Sequence, residues 1–326
     1  MTVTLQHGGL ATIFGGSGFV GRHTTRALAR RGWRVRAAVR RPDLAGHLQP
    51  MGNVGQIHAV QANLRYPASL GPALEGADVA VIAVGQLTPS GAQSYSALQV
   101  DGPRAVARAA RERGVARLVH ISAIGADAAG AASYARTKAE GEAAVLAEFP
   151  EAVILRPSIV FGPEDRFFNR FAEMAAMGPA LPLIAGETRF QPVFVGDLAE
   201  AIANAVEGKA RPGTIYEIGG PEIMSMREIL ERTVAWSGRR TGLAPIAIPV
   251  AKLLALLTWP LPASLRPLTV DQVRMLQHDN LVSDSALADG RTLAGLGVSA
   301  PTAAGAVVPT YLERFRPRGQ FSHYRG

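Results

Sequence analysis

Residues 10–21, LATIFGGSGFVG, decide the fold. Leu10 to Phe14 is a short apolar run that reads as a buried first strand. It stops at Gly15-Gly16-Ser17-Gly18, and Phe19-Val20-Gly21 opens a helical pattern that runs to Arg31. Gly15, Gly18 and Gly21 are spaced three apart, and Gly16, Gly18 and Gly21 also satisfy G-x-G-x-x-G. Each glycine has a physical job. One permits the tight turn off the strand, one lets a pyrophosphate approach the backbone, and the third lets the helix pack close to the strand. The first N–H groups of the helix, Phe19 and Val20 among them, and the positive end of its dipole then face the phosphates. The glycine pattern alone is weak. Strand, glycine turn and helix in that order near the N-terminus point to a dinucleotide rather than to a turn kept for packing.

The chain has 326 residues, 48% hydrophobic and 18% charged, which suits a globular protein with a sizeable core. It has no Cys, so disulfides and thiolate chemistry are excluded and a reducing compartment fits. Residues 1–9 are too short and polar for a secretory signal. The formal net charge of +8 favours acidic partners: a phosphorylated cofactor, an anionic lipid surface or an acidic protein face. No nucleic-acid module is visible, and the six Tyr and eleven Phe are not interleaved with basic residues, so no nucleic-acid partner is expected. No metal ligand set is assigned.

Arg34 to Val39 reads as a second strand and ends in Arg40-Arg41-Pro42. An NAD site usually places an acid here, about 20 residues beyond the glycines, to bind the ribose 2′-hydroxyl. Two arginines stand there instead, and a guanidinium fork suits a 2′-phosphate. NADP(H) is therefore favoured over NAD(H). The plainer reading is a solvated strand end with Asp43 as a local counter-charge. Ile57 to Val60 is a third strand, leading to Asn63, and Tyr66 to Leu74 a brief helix with Pro67 near its first turn. Asp78 to Val84 is a fourth, continuously apolar strand, as expected where both faces are covered. Residues 86–95 form a polar loop, Gln99 to Arg113 a helix stopped by Gly114, and Arg117 to Ile121 a fifth strand ending at Ser122. This alternation predicts an α/β fold: a Rossmann-type, doubly wound parallel sheet with a smaller, mostly helical C-terminal part. Ligands of such sheets sit at the carboxyl ends of the strands, where Gly15, Arg40, Asn63, Val84 and Ser122 fall.

Tyr134 and Lys138 are four apart on a helix from Ser133 to about Phe149, so they share a face. An ammonium beside a phenol lowers its pKa and lets it act as a general acid or base. By spacing alone the pair is unremarkable; behind five alternating strands and a dinucleotide turn it is specific. Ala152 to Leu155 is a sixth strand, before Arg156-Pro157. Phe190 to Phe194 reads as a strand, Asp197 as an N-cap for a helix to Val206, Thr214 to Ile218 as a strand, and Met226 to Trp236 as a helix begun by Ser225. The expected organisation is a nucleotide domain over 8–160, a lid or docking part over 161–315, and a basic tail over 316–326, with the chain crossing between the first two.

Residues 243–265 are strongly apolar but broken by Pro245, Pro249, Pro260 and Pro262. The uninterrupted helix, Pro249 to Trp259, spans roughly 16 Å, and a bilayer needs about 20 residues. It can lie on a membrane, dock into a partner or pack on the protein's own core. A helix from Thr269 to Gln277 follows. The tail, with Tyr311, Arg314, Phe315, Arg316, Arg318, Phe321, His323, Tyr324 and Arg325, is either a docking arm or a frayed end.

The glycine loop with Tyr134-x-x-x-Lys138 resembles the extended, atypical short-chain dehydrogenase/reductase superfamily. Within it the chain resembles the bacterial form of the nucleotide-binding accessory subunits of respiratory complex I, NADH:ubiquinone oxidoreductase. The carrying stretches are His47 to Gln56 (HLQPMGNVGQ), Phe149 to Ala152, Phe161 to Asn169 (FGPEDRFFN), Gln191-Pro192-Val193 and the apolar segment before Thr269; the resemblance covers about residues 9–315. The resemblance implies an NADP(H) held structurally. It also implies a place against the peripheral arm near the membrane, on the cytoplasmic side of the bacterial inner membrane. Carried over, Gly15, Gly18 and Gly21 contact pyrophosphate, Arg40 and Arg41 the 2′-phosphate, Tyr134 and Lys138 the nicotinamide ribose, and Pro157 the nicotinamide side. Asn63 stands where relatives often carry Asp near the adenine. Active relatives have a second Ser or Thr after the fifth strand, whereas here Ser122 is followed by Ala123, Ile124 and Gly125. The alternative is a soluble NADP(H)-dependent reductase or epimerase, on a quinone-pathway or isoprenoid substrate. Tyr134 would then be the acid/base, Lys138 its modifier and Ser122 a substrate contact.

Overall fold

A computed structural model describes residues 8–85, 94–258 and 268–317. The described residues fall into two compact units, one drawn from Met1–Pro157, Gly196–Ile218 and Ser283–Ser299, the other from Ser158–Val195, Gly219–Val282 and Ala300–Gly326. In chain order the elements are β1 (Leu10–Phe14), α1 (Phe19–Arg30), β2 (Arg34–Val39), β3 (Ile57–Gln61), α2 (Leu70–Leu74), β4 (Val79–Ile82), a π-helical turn (Ser96–Asp101), α3 (Gly102–Glu112), β5 (Arg117–Ile121), α4 (Ser133–Glu148) and β6 (Val153–Pro157). They continue as β7 (Val160–Phe161), α5 (Phe168–Met177), β8 (Ala180–Ile184), β9 (Arg189–Phe190), β10 (Val193–Phe194), α6 (Val195–Val206), β11 (Ile215–Ile218), β12 (Met224–Ser225), α7 (Met226–Trp236), β13 (Gly242–Ile246), α8 (Ile248–Leu257), α9 (Val270–Met275), α10 (Asp284–Ala288) and α11 (Ala304–Leu312).

The first unit is built on a seven-stranded sheet in the order β11-β6-β5-β4-β1-β2-β3. Every pairing in it is parallel. The doubly wound α/β fold is therefore present, with β11 as a seventh strand. Because the strands run the same way, all their carboxyl ends share one edge, which is where such sheets take ligands. Phe14, Ile82, Leu118 and Ile154 face one side, packed on Leu70 and Leu74 of α2, Val106 of α3 and Val145 of α4. Each such side chain contributes about 1.5–3 kcal/mol when fully buried. Gly141 lets α4 meet the π-helical turn: a Cβ there would come 1.9 Å from the Gln99 carbonyl oxygen.

The second unit is built on small sheets, β7–β10, β9–β12 and β8–β13, under α5, α7 and α11. Ser225 starts α7 and Thr269 starts α9, each through a reciprocal capping box with the residue three further on. Two expectations are corrected. The strand read over Phe190 to Phe194 is two short strands, since Pro192 between them lacks an N–H for a ladder. Asp197 is not an N-cap: α6 begins at Val195, and Asp197 lies in its first turn, where its charge still opposes the helix dipole. The apolar helix runs Ile248–Leu257. Trp259, the loop over 86–93 and the tail from Arg318 lie outside the described residues.

Two of the sequence runs that carry the resemblance have structural jobs. Gln56 ends HLQPMGNVGQ. Its Nε2 donates to the carbonyls of Ala29 (2.7 Å) and Trp33 (2.9 Å), and its Oε1 accepts from the Asn53 N–H, so it ties the end of α1 to β3. Asp165, in FGPEDRFFN, accepts N–H groups of Gly162, Phe167 and Asn169 and the hydroxyl of Tyr311.

Candidate functional site

The glycine turn closes on its own backbone. The Gly18 N–H donates to the Gly15 carbonyl (2.9 Å), and the Gly15 N–H to that of Ala38 (2.9 Å). Gly15 has φ +81°, a left-handed conformation that favours glycine. A Cβ at Gly21 would lie 2.1 Å from the Gly15 carbonyl oxygen, and one at Gly16 2.8 Å from the Ala37 Cβ. At Gly15 a Cβ would come 3.0 Å from a Val84 methyl, so the end of β4 walls the turn. Gly18 caps α1 without a side chain, and the first turn, with Phe19, Val20 and Gly21, holds no acid. The N–H donors there have no side-chain cap, and a side chain would fill the cradle before them. These residues fit a pyrophosphate. Sequence reasoning missed Arg22. Its guanidinium folds back onto the carbonyls of Ser17 (3.2 Å) and Gly18 (3.3 Å), which brings positive charge to the turn. The signal was available: a basic residue one position past the last glycine.

Arg40 and Arg41 both lie exposed at the end of β2. Arg41 pairs with Asp43 at 2.8 Å, and that contact holds the Asp43 carboxyl below its usual range. The counter-charge reading thus applies to Arg41. Arg40 is exposed and shows no hydrogen bond or ion pair among the described residues. Asn63 is engaged locally: its Oδ1 accepts the Arg65 N–H (3.1 Å) and its backbone N–H donates to Ser69 Oγ.

Tyr134 and Lys138 come together on α4, with Nζ 6.0 Å from the ring centre. Tyr95, in the turn before Ser96, meets the Tyr134 ring edge to face at 5.9 Å. Lys138 is buried and donates to the Ile121 carbonyl at 3.2 Å. Burial pushes its pKa down to about 8, with Glu142 opposing the shift. Burial also pushes the Tyr134 phenol up to about 12, so the phenol is not primed as a base. One turn beyond Lys138 lies Glu142, a buried carboxylate that sequence reasoning passed over although its spacing continues the ladder. It accepts Arg156 Nε (2.9 Å) and Nη2 (2.6 Å) and the hydroxyl of Ser122 in a very short hydrogen bond. The Ser122 backbone N–H donates to the Leu155 carbonyl at 2.7 Å. Ser122 therefore sits at the end of β5 as expected, but its hydroxyl proton goes to Glu142. Pro157 closes β6, and its carbonyl accepts the Ile124 N–H at 2.9 Å.

His120 was also missed. It is 1% exposed on β5, and neither ring nitrogen finds a partner among the described residues. Burial, with the Lys138 charge adding to it, lowers its pKa to about 3, so it stays neutral.

Residues 11–219 match the NAD dependent epimerase/dehydratase family. The chain is 32% identical over 290 residues to the mitochondrial NADH dehydrogenase (ubiquinone) 1 alpha subcomplex subunit 9 of Arabidopsis thaliana, covering 85% of this chain and 72% of that protein. It is 35% identical over 191 residues to a ceramide reductase of Caulobacter vibrioides, covering 59% of each. A solved NADPH-dependent quinone oxidoreductase from Escherichia coli shares the fold, with a TM-score of 0.70 at 21% identity over 93% of this chain and 99% of that one. A family match over residues 11–219, on a sheet of this strand order, gives the conclusion: the chain belongs to the NAD dependent epimerase/dehydratase family, as a homologue of the complex I alpha-subcomplex subunit 9.

Proposed function

We propose that this protein is an accessory subunit of a bacterial respiratory complex I that holds NADP(H) as a structural part and does not turn it over. The pyrophosphate lies on the glycine turn, at Gly15, Gly18 and the N–H groups of Phe19, Val20 and Gly21. Arg40 takes the 2′-phosphate, with Arg41 beside it held back by Asp43. Tyr134 and Lys138 contact the nicotinamide ribose, Pro157 lines the nicotinamide side, and Asn63 and Val84 lie along the same sheet edge. Such a nucleotide would supply a hydride only under the second reading below. The observation that carries the non-catalytic reading is that the Ser122 hydroxyl is taken by Glu142 rather than left for a substrate. Its neighbours agree with it: Lys138 is bound to a backbone carbonyl, and the Tyr134 proton is held up to about pH 12. The homology to complex I subunits supports the assembly, and this reading puts the chain at the peripheral cytoplasmic face of the inner membrane. No helix among the described residues is long and apolar enough to cross a membrane. Affinity purification of the tagged chain from solubilised membranes tests the assembly. Complex I subunits are expected in stoichiometric amount, and a preparation free of them rejects it.

A second reading has one observation in its favour: Tyr134 and Lys138 still share a face, as a reductase needs. The relative named as a ceramide reductase extends the candidate substrates from quinone-like or isoprenoid carbonyls to ceramide-type lipids. There Tyr134 would donate the proton that follows hydride transfer. Oxidation of NADPH by such a carbonyl, abolished in Tyr134→Phe, would establish it.

A further inference from the structure

Exposed large hydrophobic side chains concentrate in one place. Val250, Leu253, Leu254, Leu256 and Leu257 stand on α8, each 46–68% exposed. The remaining ones, such as Leu44, Val54 and Ile223, are scattered singly, which is ordinary for a surface. The helix turns only Ala251 and Ala255 inward. At about 100° per residue, the five exposed side chains sweep an arc of roughly 160° opposite those alanines. Lys252 falls at the edge of that arc, where its stem can run along the apolar face and its ammonium can reach outward. A surface helix normally hides its large residues and shows its small and polar ones. This one does the reverse, and among the described residues nothing covers the face.

Charge says what fits there. From Arg232 to Val270 the chain carries no acidic residue, only Arg232, Arg239, Arg240, Lys252 and Arg266, and the whole chain is at +8. Arg232 pairs with Glu222 and Arg239 donates to the Phe315 carbonyl, while Arg240 is exposed. A broad apolar arc with Lys252 at its edge, in a stretch without an acid, on a helix of ten residues, about 15 Å long, suits the plane of a bilayer rather than its thickness.

We infer that α8 lies in the interface of an anionic phospholipid bilayer, with its valine and leucines among the acyl chains and Lys252 at the headgroups. The inference concerns the second unit alone and does not rest on the nucleotide. The test is flotation of the purified full chain with protein-free vesicles of phosphatidylcholine, alone or mixed with phosphatidylglycerol. The expected result is flotation with the mixed vesicles, weakened by salt, and little with the neutral ones. The double variant Leu253→Asp, Leu257→Asp should cut binding by roughly tenfold or more, because charges replace side chains that enter the acyl region. Lys252→Gln should cut it about fivefold, the effect of one basic residue near an anionic leaflet. Val54→Asp, exposed elsewhere, should change nothing. NADPH binding by the same variants should match the parent, which reports folding and keeps the nucleotide reading separate. Flotation of the double variant equal to the parent overturns the inference. So does binding to native membranes with none to protein-free vesicles, which would assign the face to a protein. Equal, salt-insensitive flotation with neutral vesicles overturns the anionic requirement.

Discussion

Two parts of the first unit handle their polar groups in opposite ways. At the glycine turn, backbone donors at the start of α1 have no side-chain cap, Arg40 has no partner among the described residues, and a Cβ at Gly16 or Gly21 would collide with the turn itself. On the face of α4 the protein uses its own groups. Ser122 and Arg156 both serve Glu142, Lys138 serves the Ile121 carbonyl, and Tyr134 keeps its proton. A site built for turnover leaves its acid, base and hydrogen-bond donors for the substrate. Here the donors at the glycine turn are uncapped, whereas Ser122 and Lys138 are engaged by Glu142 and the Ile121 carbonyl. The contrast is what a nucleotide kept as a structural part would produce.

That contrast can be broken at either end. The largest effect is expected from Gly21→Val. Its side chain would collide with the Gly15 carbonyl and push the turn apart. NADPH binding followed by fluorescence should fall by about 100-fold or more, with a stability cost of about 1–3 kcal/mol from overpacking. Next comes Arg40→Ser, which should weaken NADPH by roughly 10- to 100-fold and leave NADH unchanged, one lost charge-assisted contact being worth about 1.5–3 kcal/mol. Arg41→Ser should cost less, because Asp43 already holds that guanidinium. The reverse ranking would show that Arg41 leaves Asp43 on binding.

Lys138 gives a pH test. If its ammonium holds the ribose, NADPH affinity should decline several-fold as pH rises past about 8, and the profile should flatten in Lys138→Met. Stability runs the other way. The folded value lies below the ordinary 10.5, so the cost of the buried charge is fully present below pH 8 and is relieved between about 8 and 10.5. His120→Leu should raise the melting temperature, since it removes a buried ring with no partner, a gain of about 1–3 kcal/mol. It should also blunt the acid response. The parent's His120 has a folded value of about 3 against 6.5, so stability is lost as pH falls through that window. The smallest effect is Ser122→Ala. Arg156 still pairs Glu142, so the expected cost is about 1 kcal/mol with NADPH affinity unchanged.

Most of the sheet was legible, and the reason is local. β1, β2 and β5 occur where apolar runs end at a glycine, arginine or serine, and one strand period plus one turn signal fixes each. Where a signal needs tertiary context, the reading fails. The strand over Phe190 to Phe194 ignores the missing N–H of Pro192, and Asp197 has a capping residue's chemistry but sits two positions inside the helix. The glycine turn was legible for the same local reason, since it is written in consecutive residues. The chemical half of the site was not. The fate of Ser122 depends on Glu142 and Arg156, 20 and 34 residues away, which only the β5–β6 register and the α4 packing bring to it. Only the Glu142 spacing, one turn past Lys138, was open to inspection.

The most direct test of the account is the nucleotide that leaves with the purified protein. Released and quantified, it should be NADP(H) at about one per chain. Offered quinones or ceramide-type lipid carbonyls, the bound NADPH should stay reduced, with the same occupancy in Tyr134→Phe. Prompt oxidation of that NADPH by such an acceptor, lost in Tyr134→Phe, would contradict the account and make the α4 face a working active site.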